Sequence, residues 1–176
     1  MRYVPLMNHK CVLHLCLLRS IFRPDNAQLQ NTYTQIPAFY TGFMIKTTYL
    51  GDLRTEAVHV RSGARITTDA PPDNQGKGEA FSPTDLCAAS LASCMLTIMG
   101  ISARNHGLNI DGASAEINKI MASDPRRIAR VEIRLEIPGA GLDERQRKVL
   151  EAAGRSCPVA FSLAEGIEQV VEFEWV

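Results

Sequence analysis

Two cysteines stand where a thiol could do chemistry. Cys94 lies within a long uncharged segment, Leu86 to Met99, and Cys157 directly precedes Pro158 in Ser156-Cys157-Pro158-Val159. A cysteine thiolate is a strong nucleophile that can be oxidised stepwise and reduced back. The plain alternative for Cys94 is packing, because free cysteine behaves as a small hydrophobe. Cys87 is seven residues earlier, about two turns and ~10.5 Å away along a helix. That exceeds the ~7 Å that a disulfide spans between Cα atoms, so Cys87 reads as packing. Cys157 fits the N-cap of a short turn opened by Pro158, where free N–H groups and the helix dipole favour a thiolate. Spacing alone leaves open whether Cys94 and Cys157 meet.

The elements that would carry these thiols are legible from about Met44 onward. Ile45 to Leu50, Glu56 to Val60 and Ala64 to Thr68 read as short strands, separated by turn signals at Gly51-Asp52 and Ser62-Gly63. Asp69 to Gly78 is rich in proline and glycine, which forbids a continuous ladder and predicts exposed chain. Its Gly76-Lys77-Gly78 lacks the spacing of a phosphate-binding loop. Next, Ser82 fits an N-cap, Pro83 the first helical position and Asp85 the third position of a capping box. The helix then runs uncharged to Met99 and on toward Arg104, with Gly107 as its stop. The lack of charge predicts burial nearly all round. Ala113 to Met121 and the strictly alternating Arg130 to Ile137 follow as strands. Arg126, Arg127 and Arg130 read as a solvated turn rather than an anion site. Asp143 and Gln146 cap an amphipathic helix that ends at Gly154, and Ile167 to Val176 closes as a strand with Ile167, Val171, Phe173 and Trp175 on one face. The order βββ-α-ββ-α-β predicts an α+β fold in which sheet wraps a central apolar helix.

Composition narrows the classes of function. With 45% hydrophobic and 22% charged residues in a chain of 176, one ordinary globular domain is expected rather than a disordered or fibrous protein. Nineteen Lys+Arg balance nineteen Asp+Glu, so the chain as a whole has no bias toward nucleic acid. No apolar run approaches the ~18 residues of a membrane span, so no membrane partner is expected. Five scattered cysteines form neither a disulfide framework nor a zinc motif, so no metal is expected, and a reducing cytoplasm is the natural setting.

Residues 1–43 read differently and are separated as an N-terminal extension, with 44–176 as the domain. They hold Cys11 and Cys16, the apolar run Cys11 to Leu18, and no acid before Asp25. Such a start permits a targeting peptide, but the apolar run is short and lacks a small-residue cleavage site. A dispensable extension, a start set too early and an ordered arm are the other readings.

Ser82-Pro83-Thr84-Asp85-Leu86, Ala88-Ala89-Ser90-Leu91-Ala92-Ser93-Cys94 and Ser156-Cys157-Pro158-Val159 together resemble the OsmC/Ohr family of thiol-dependent peroxidases. The resemblance covers roughly Met44 to Val176. It implies an intertwined homodimer with two composite active sites, reduction of organic hydroperoxides in oxidative stress defence, and a dithiol reductant such as a lipoyl protein or a small thiol. No bound cofactor is implied. Cys94 matches the peroxidatic thiol and Cys157 the resolving one, with Leu91, Met95 and Phe161 as an apolar surround. An arginine from an early strand, held by an acid, would keep Cys94 ionised. Arg54 is the foremost candidate for it, with Arg61 and Arg65 behind. The family's glutamate after the helix-start proline is absent, since Thr84 and Asp85 follow Pro83, so the clamp falls to Asp85 or to Glu79. Asp85 is nine residues from Cys94, ~13.5 Å along one helix, and reaches it only through Arg54 or across an interface. Histidines found in many relatives after the second cysteine are replaced by Ala160 and Phe161. A binding or redox-sensing module on the same scaffold, without efficient turnover, is the alternative these departures raise.

Overall fold

The capping box forms as the sequence dictates. Ser82 Oγ accepts the Asp85 N–H at 3.1 Å, Asp85 Oδ2 accepts the Ser82 N–H at 2.7 Å, and the long helix α1 runs Pro83–Asn105. The computed structural model describes residues 42–176, of which Ile45–Val176 form one unit. The apolar run Cys11 to Leu18 and both N-terminal cysteines lie outside the described residues.

Three strands precede α1: β1 (Ile45–Gly51), β2 (Arg54–His59) and β3 (Arg65–Asp69), an antiparallel sheet in the order β1-β2-β3. After α1 come β4 (Ser114–Ser123), β5 (Arg126–Ile137), α2 (Glu144–Arg155), the short α3 (Pro158–Ser162) and β6 (Glu168–Trp175). The second sheet has the order β4-β5-β6, with β4 antiparallel and β6 parallel to β5. The expected α+β order is thus present, with α3 as the turn opened by Pro158.

The core lies between the inner face of the second sheet and the helices. Strict alternation along β5 sends Val131, Ile133, Leu135 and Ile137 inward, all buried. They meet Leu91, Met95 and Met99 of α1 and Leu150 of α2. Full burial of each such side chain contributes about 1.5–3 kcal/mol. Gly154 lets α2 approach α1 closely, because a Cβ there would come within 2.9 Å of Met99 Sδ.

Four expectations need correction. Arg126 and Arg127 belong to β5 rather than to a turn, and the basic cluster is spent on separate partners: Arg126 on Asp73, Arg127 on the Ile128 and Gly166 carbonyls, Arg130 on Glu132 and Glu168. Asp69, expected in exposed loop, ends β3 fully buried. An 18-residue window of α1 is long and apolar enough to cross a membrane, because serine, threonine and glycine interrupt the apolar run while barely lowering its hydropathy. One side of α1 nevertheless packs into the core. Nor is α1 buried all round. Ser90, Ser93, Thr97 and Ile101, spaced three and four apart, leave a charge-free stripe open. Absence of charge signalled that this face is to be covered, but the chain's own elements cover only the opposite one.

Candidate active site

The two cysteines meet. Cys94 projects from the middle of α1, at the border between its buried and open faces, and is partly buried. Cys157, fully buried, is the N-cap of α3, and its thiol lies beside the Cys94 side chain, near enough for the two to interact. Both are free thiols. Helix α2 brings Cys157 there. It packs along α1, ends at Arg155, and leaves only Ser156 before the cap.

Burial dominates the state of Cys157. Loss of water pushes its thiol pKa above the ordinary cysteine value, the Ala160 N–H at 3.3 Å opposes this, and the neighbouring Cys94 pushes it up further. The expectation that the N-cap favours a thiolate is therefore overturned, because α3 has only five residues and its donors do not offset the desolvation. Alkylation of Cys157 by iodoacetamide in the reduced, folded protein is expected to have its pH midpoint above the ~8.5 of a free cysteine. The sign follows from linkage. A raised folded pKa stabilises the protein below the unfolded value, and that contribution is lost as pH climbs through the folded one. A midpoint at or below that of a model thiol contradicts this account.

The predicted charged residues assemble elsewhere. Arg54, the first residue of β2, pairs through Nη2 with Asp69 at 3.2 Å and with the carboxylate of Glu79. Within one chain, then, Glu79 and not Asp85 is the acid of the two that pairs with Arg54. Asp85 Oδ1 takes the Lys119 ammonium at 2.5 Å, and the same ammonium donates to Thr84 Oγ1 at 2.9 Å and Ser82 Oγ at 3.1 Å. Burial raises the Asp85 carboxyl pKa, but hydrogen bonds from Lys119 and Ser82 together outweigh it and hold the group below its usual value. Arg65 pairs with Glu56, and Arg61 sits at the exposed turn after β2. Glu79, Phe81, Asp85, Ala88, Ile117 and Lys119 line an open cavity of about 630 Å³.

That cavity and the thiols lie on opposite sides of α1. Cys94 is nine residues past Asp85, two and a half turns, hence ~180° around the helix. Of the apolar residues expected around Cys94, Leu91 and Met95 are buried in the core, whereas Phe161 is 78% exposed. Among the described residues, no three His, Cys, Asp or Glu side chains converge as a metal site.

Sequence reading missed two residues. Lys119 was detectable, because alternation along β4 puts it on the inward face with Ala115, Ile117 and Met121, where a charge demands a partner. Asp69 gave no signal, since an aspartate opening a Pro/Gly loop is an ordinary turn residue.

Two small sheets, a helix bearing one thiol and a second thiol capping a short helix define an α+β protein of the two-cysteine kind. A family model described as OsmC-like protein matches residues 76–172. The chain is 50% identical to a protein of Psychrobacter arcticus 273-4 described as an osmotic stress induced and detoxification response protein. That structure aligns with a TM-score of 0.72 over 77% of this chain and 99% of the other. An OsmC-like protein from Mycoplasma pneumoniae aligns at 16% identity and TM-score 0.65, over 78% and 99% of the two chains. The organic hydroperoxide resistance protein OhrB of Bacillus subtilis aligns at 18% and 0.55, over 75% and 98%. No curated protein matches the chain in sequence. The chain belongs to the OsmC-like family.

Proposed function

We propose that this protein is a cysteine-based peroxidase that reduces organic hydroperoxides to alcohols and works as a homodimer. The observation that carries the reading is the contact between Cys94, partly buried on α1, and the buried Cys157 at the start of α3. The names of structural relatives such as the hydroperoxide resistance protein of Bacillus subtilis support the substrate class. In the first step the Cys94 thiolate attacks the distal peroxide oxygen. The O–O bond breaks, the alkoxide leaves and takes a proton to become the alcohol, and Cys94 is left as a sulfenic acid. The Cys157 sulfur then displaces the sulfenic oxygen as water, forming the Cys94–Cys157 disulfide. A dithiol reductant, a lipoyl protein or a small thiol, returns both sulfurs to thiols, which suits a reducing compartment such as the cytoplasm.

The reading needs a cation near Cys94, and Arg54 is its candidate. Within one chain the guanidinium is bonded to Asp69 and Glu79, not to Cys94. A second copy resolves this and covers what one chain leaves open. The α1 stripe Ser90, Ser93, Thr97 and Ile101 is uncharged, and Ile45, Tyr49 and Ile66 of the first sheet are about half exposed or more. A bare three-stranded sheet with apolar side chains in water needs a cover. Asp85, engaged by Lys119, serves in this reading as the helix cap.

The test is peptide mapping after one equivalent of cumene hydroperoxide, with the oligomeric state measured by light scattering. A Cys94–Cys157 disulfide in a dimeric protein is the expected result. Oxidation that spares this pair, or a monomer at micromolar concentration, sinks the reading. A disulfide that forms once but is not turned over by dithiols favours the redox-sensing alternative.

A further inference from the structure

Asp69 is a fully buried carboxylate that the chemistry above leaves unused. It sits at the end of β3 directly opposite Arg54 of β2 in the antiparallel register. Its Oδ2 accepts from Arg54 Nη2 at 3.2 Å and from the Glu79 N–H at 3.0 Å. Loop 70–81 covers it and is closed on itself at the base, with Gly78 N–H donating to the Ala70 carbonyl and Asp69 N–H to the Phe81 carbonyl, both at 3.1 Å. Gly76 packs on Ala70 so tightly that a Cβ would fall 1.7 Å from the Ala70 oxygen. On the other side, Arg54 follows Asp52 and Leu53, two non-glycine residues held at φ of 49° and 61°. The Leu53 carbonyl accepts the Ala70 N–H at 3.2 Å. Such backbone persists only where its surroundings fix it.

The ion pair carries one more clue. Arg54 Nε and Asp69 Oδ1 are both buried without a hydrogen-bond partner. They are a donor and an acceptor on the same pair, and a guanidinium facing a carboxylate can form two parallel hydrogen bonds. Here it forms one, because Nη2 is shared with Glu79, whose side chain is 61% exposed. A small turn of the guanidinium onto both Asp69 oxygens satisfies the two buried atoms and releases Glu79. Losing Asp69 instead strands a buried polar group, which is costly.

We propose that Asp69 is a positioning residue for the candidate site: it anchors Arg54 throughout, and Glu79 is the exchangeable partner that gives way when an anionic group approaches the guanidinium. The approaching group is the Cys94 thiolate or the alkoxide oxygen that gains charge as the O–O bond breaks, so the proposal rests on the peroxidase reading. Arg54 stays charged in either arrangement.

The test uses the full chain with Asp69→Asn, Glu79→Gln, Arg54→Gln and the Arg54→Gln/Asp69→Asn double variant. Single-turnover oxidation of Cys94 by cumene hydroperoxide is followed across pH, and amide hydrogen exchange at Glu79 is measured without peroxide. Asp69→Asn is expected to slow oxidation about 10²-fold, the scale of a misplaced group, with Glu79→Gln losing clearly less. The pH midpoint of Cys94 oxidation should move upward in Asp69→Asn and Arg54→Gln alike, which a merely loosened fold does not produce. The double variant should be no slower than Arg54→Gln alone, because Asp69 acts through Arg54. Exchange at Glu79 should quicken in Asp69→Asn. Wild-type oxidation by Asp69→Asn, or additive losses in the double variant, overturns the proposal. Should Asp69→Asn fail to fold, Asp69→Glu decides: slowed oxidation at retained thermal stability supports the anchor, and an unchanged rate refutes it. A wild-type protein inert to peroxide sinks the peroxidase reading alone. The exchange arm then still rules on the anchor, since unchanged Glu79 exchange in Asp69→Asn removes it.

Discussion

Replacement of Cys94 by serine is expected to lower dithiol-dependent consumption of cumene hydroperoxide by roughly three orders of magnitude or more, leaving only the background reaction. A serine hydroxyl is not ionised near neutral pH and has no accessible oxidation step, so it replaces neither the nucleophile nor the sulfenic acid. The side chains are nearly isosteric, and Cys94 sits at the edge of the core rather than at its centre. Thermal stability should therefore stay close to that of the parent, which separates a chemical loss from unfolding. Cys157→Ser has a different expected outcome. Cys94 should still be oxidised once, and its sulfenic acid, with no second sulfur to condense with, should be trapped by dimedone. Peroxide consumption by Cys94→Ser at the parental rate removes Cys94 from the mechanism. Repeated turnover by Cys157→Ser without a small thiol removes Cys157.

How much of this was legible follows from the range over which each determinant acts. The capping box Ser82-Pro83-Thr84-Asp85, the alternation along Arg130 to Ile137 and the cap at Asp143 are local patterns, and each produced the expected element. Cys157 as an N-cap was equally local and is present. Its protonation was not legible, because the dominant cause is burial by α2 and the core, which no neighbour in sequence encodes. The partner of each acid was hidden for the same reason. Asp85 and Glu79 both precede or open α1, and spacing does not say which of them meets Arg54. Lys119, 34 residues beyond Asp85, captures that carboxylate once β4 packs beside the helix start. Glu79 is directed to Arg54 because its own N–H is tied to Asp69, Arg54's partner across the sheet. The open stripe of α1 shows the same limit. Sequence reveals that a surface lacks charge, and only the assembled chain reveals which part of it remains uncovered.

The second large effect is predicted for an uncharged residue of the core. Leu150 is fully buried in α2, among Met99 of α1 and the inward side chains of β5. Leu150→Ala removes three carbon atoms and leaves a cavity that the surrounding close-packed elements fill only partly. The expected destabilisation is about 2–5 kcal/mol, a sizeable fraction of the roughly 5–15 kcal/mol that holds a domain together. Unfolding in urea at fixed protein concentration, so that assembly does not shift the midpoint, is the measurement. The consequence reaches the thiols, because α2 delivers Cys157. Seven residues separate the two positions, so a looser α2 on α1 lets Cys157 drift from Cys94. Disulfide closure after peroxide addition should then slow, while the first oxidation of Cys94, which does not require Cys157, stays near the parental rate. Ala152→Ser, at an exposed position of the same helix, is the control and should alter stability by no more than about 0.5 kcal/mol. A loss below about 1 kcal/mol for Leu150→Ala shows that α2 is not held by this contact. A normal closure rate despite the full stability loss shows that Cys157 is fixed by α3 and β6 instead.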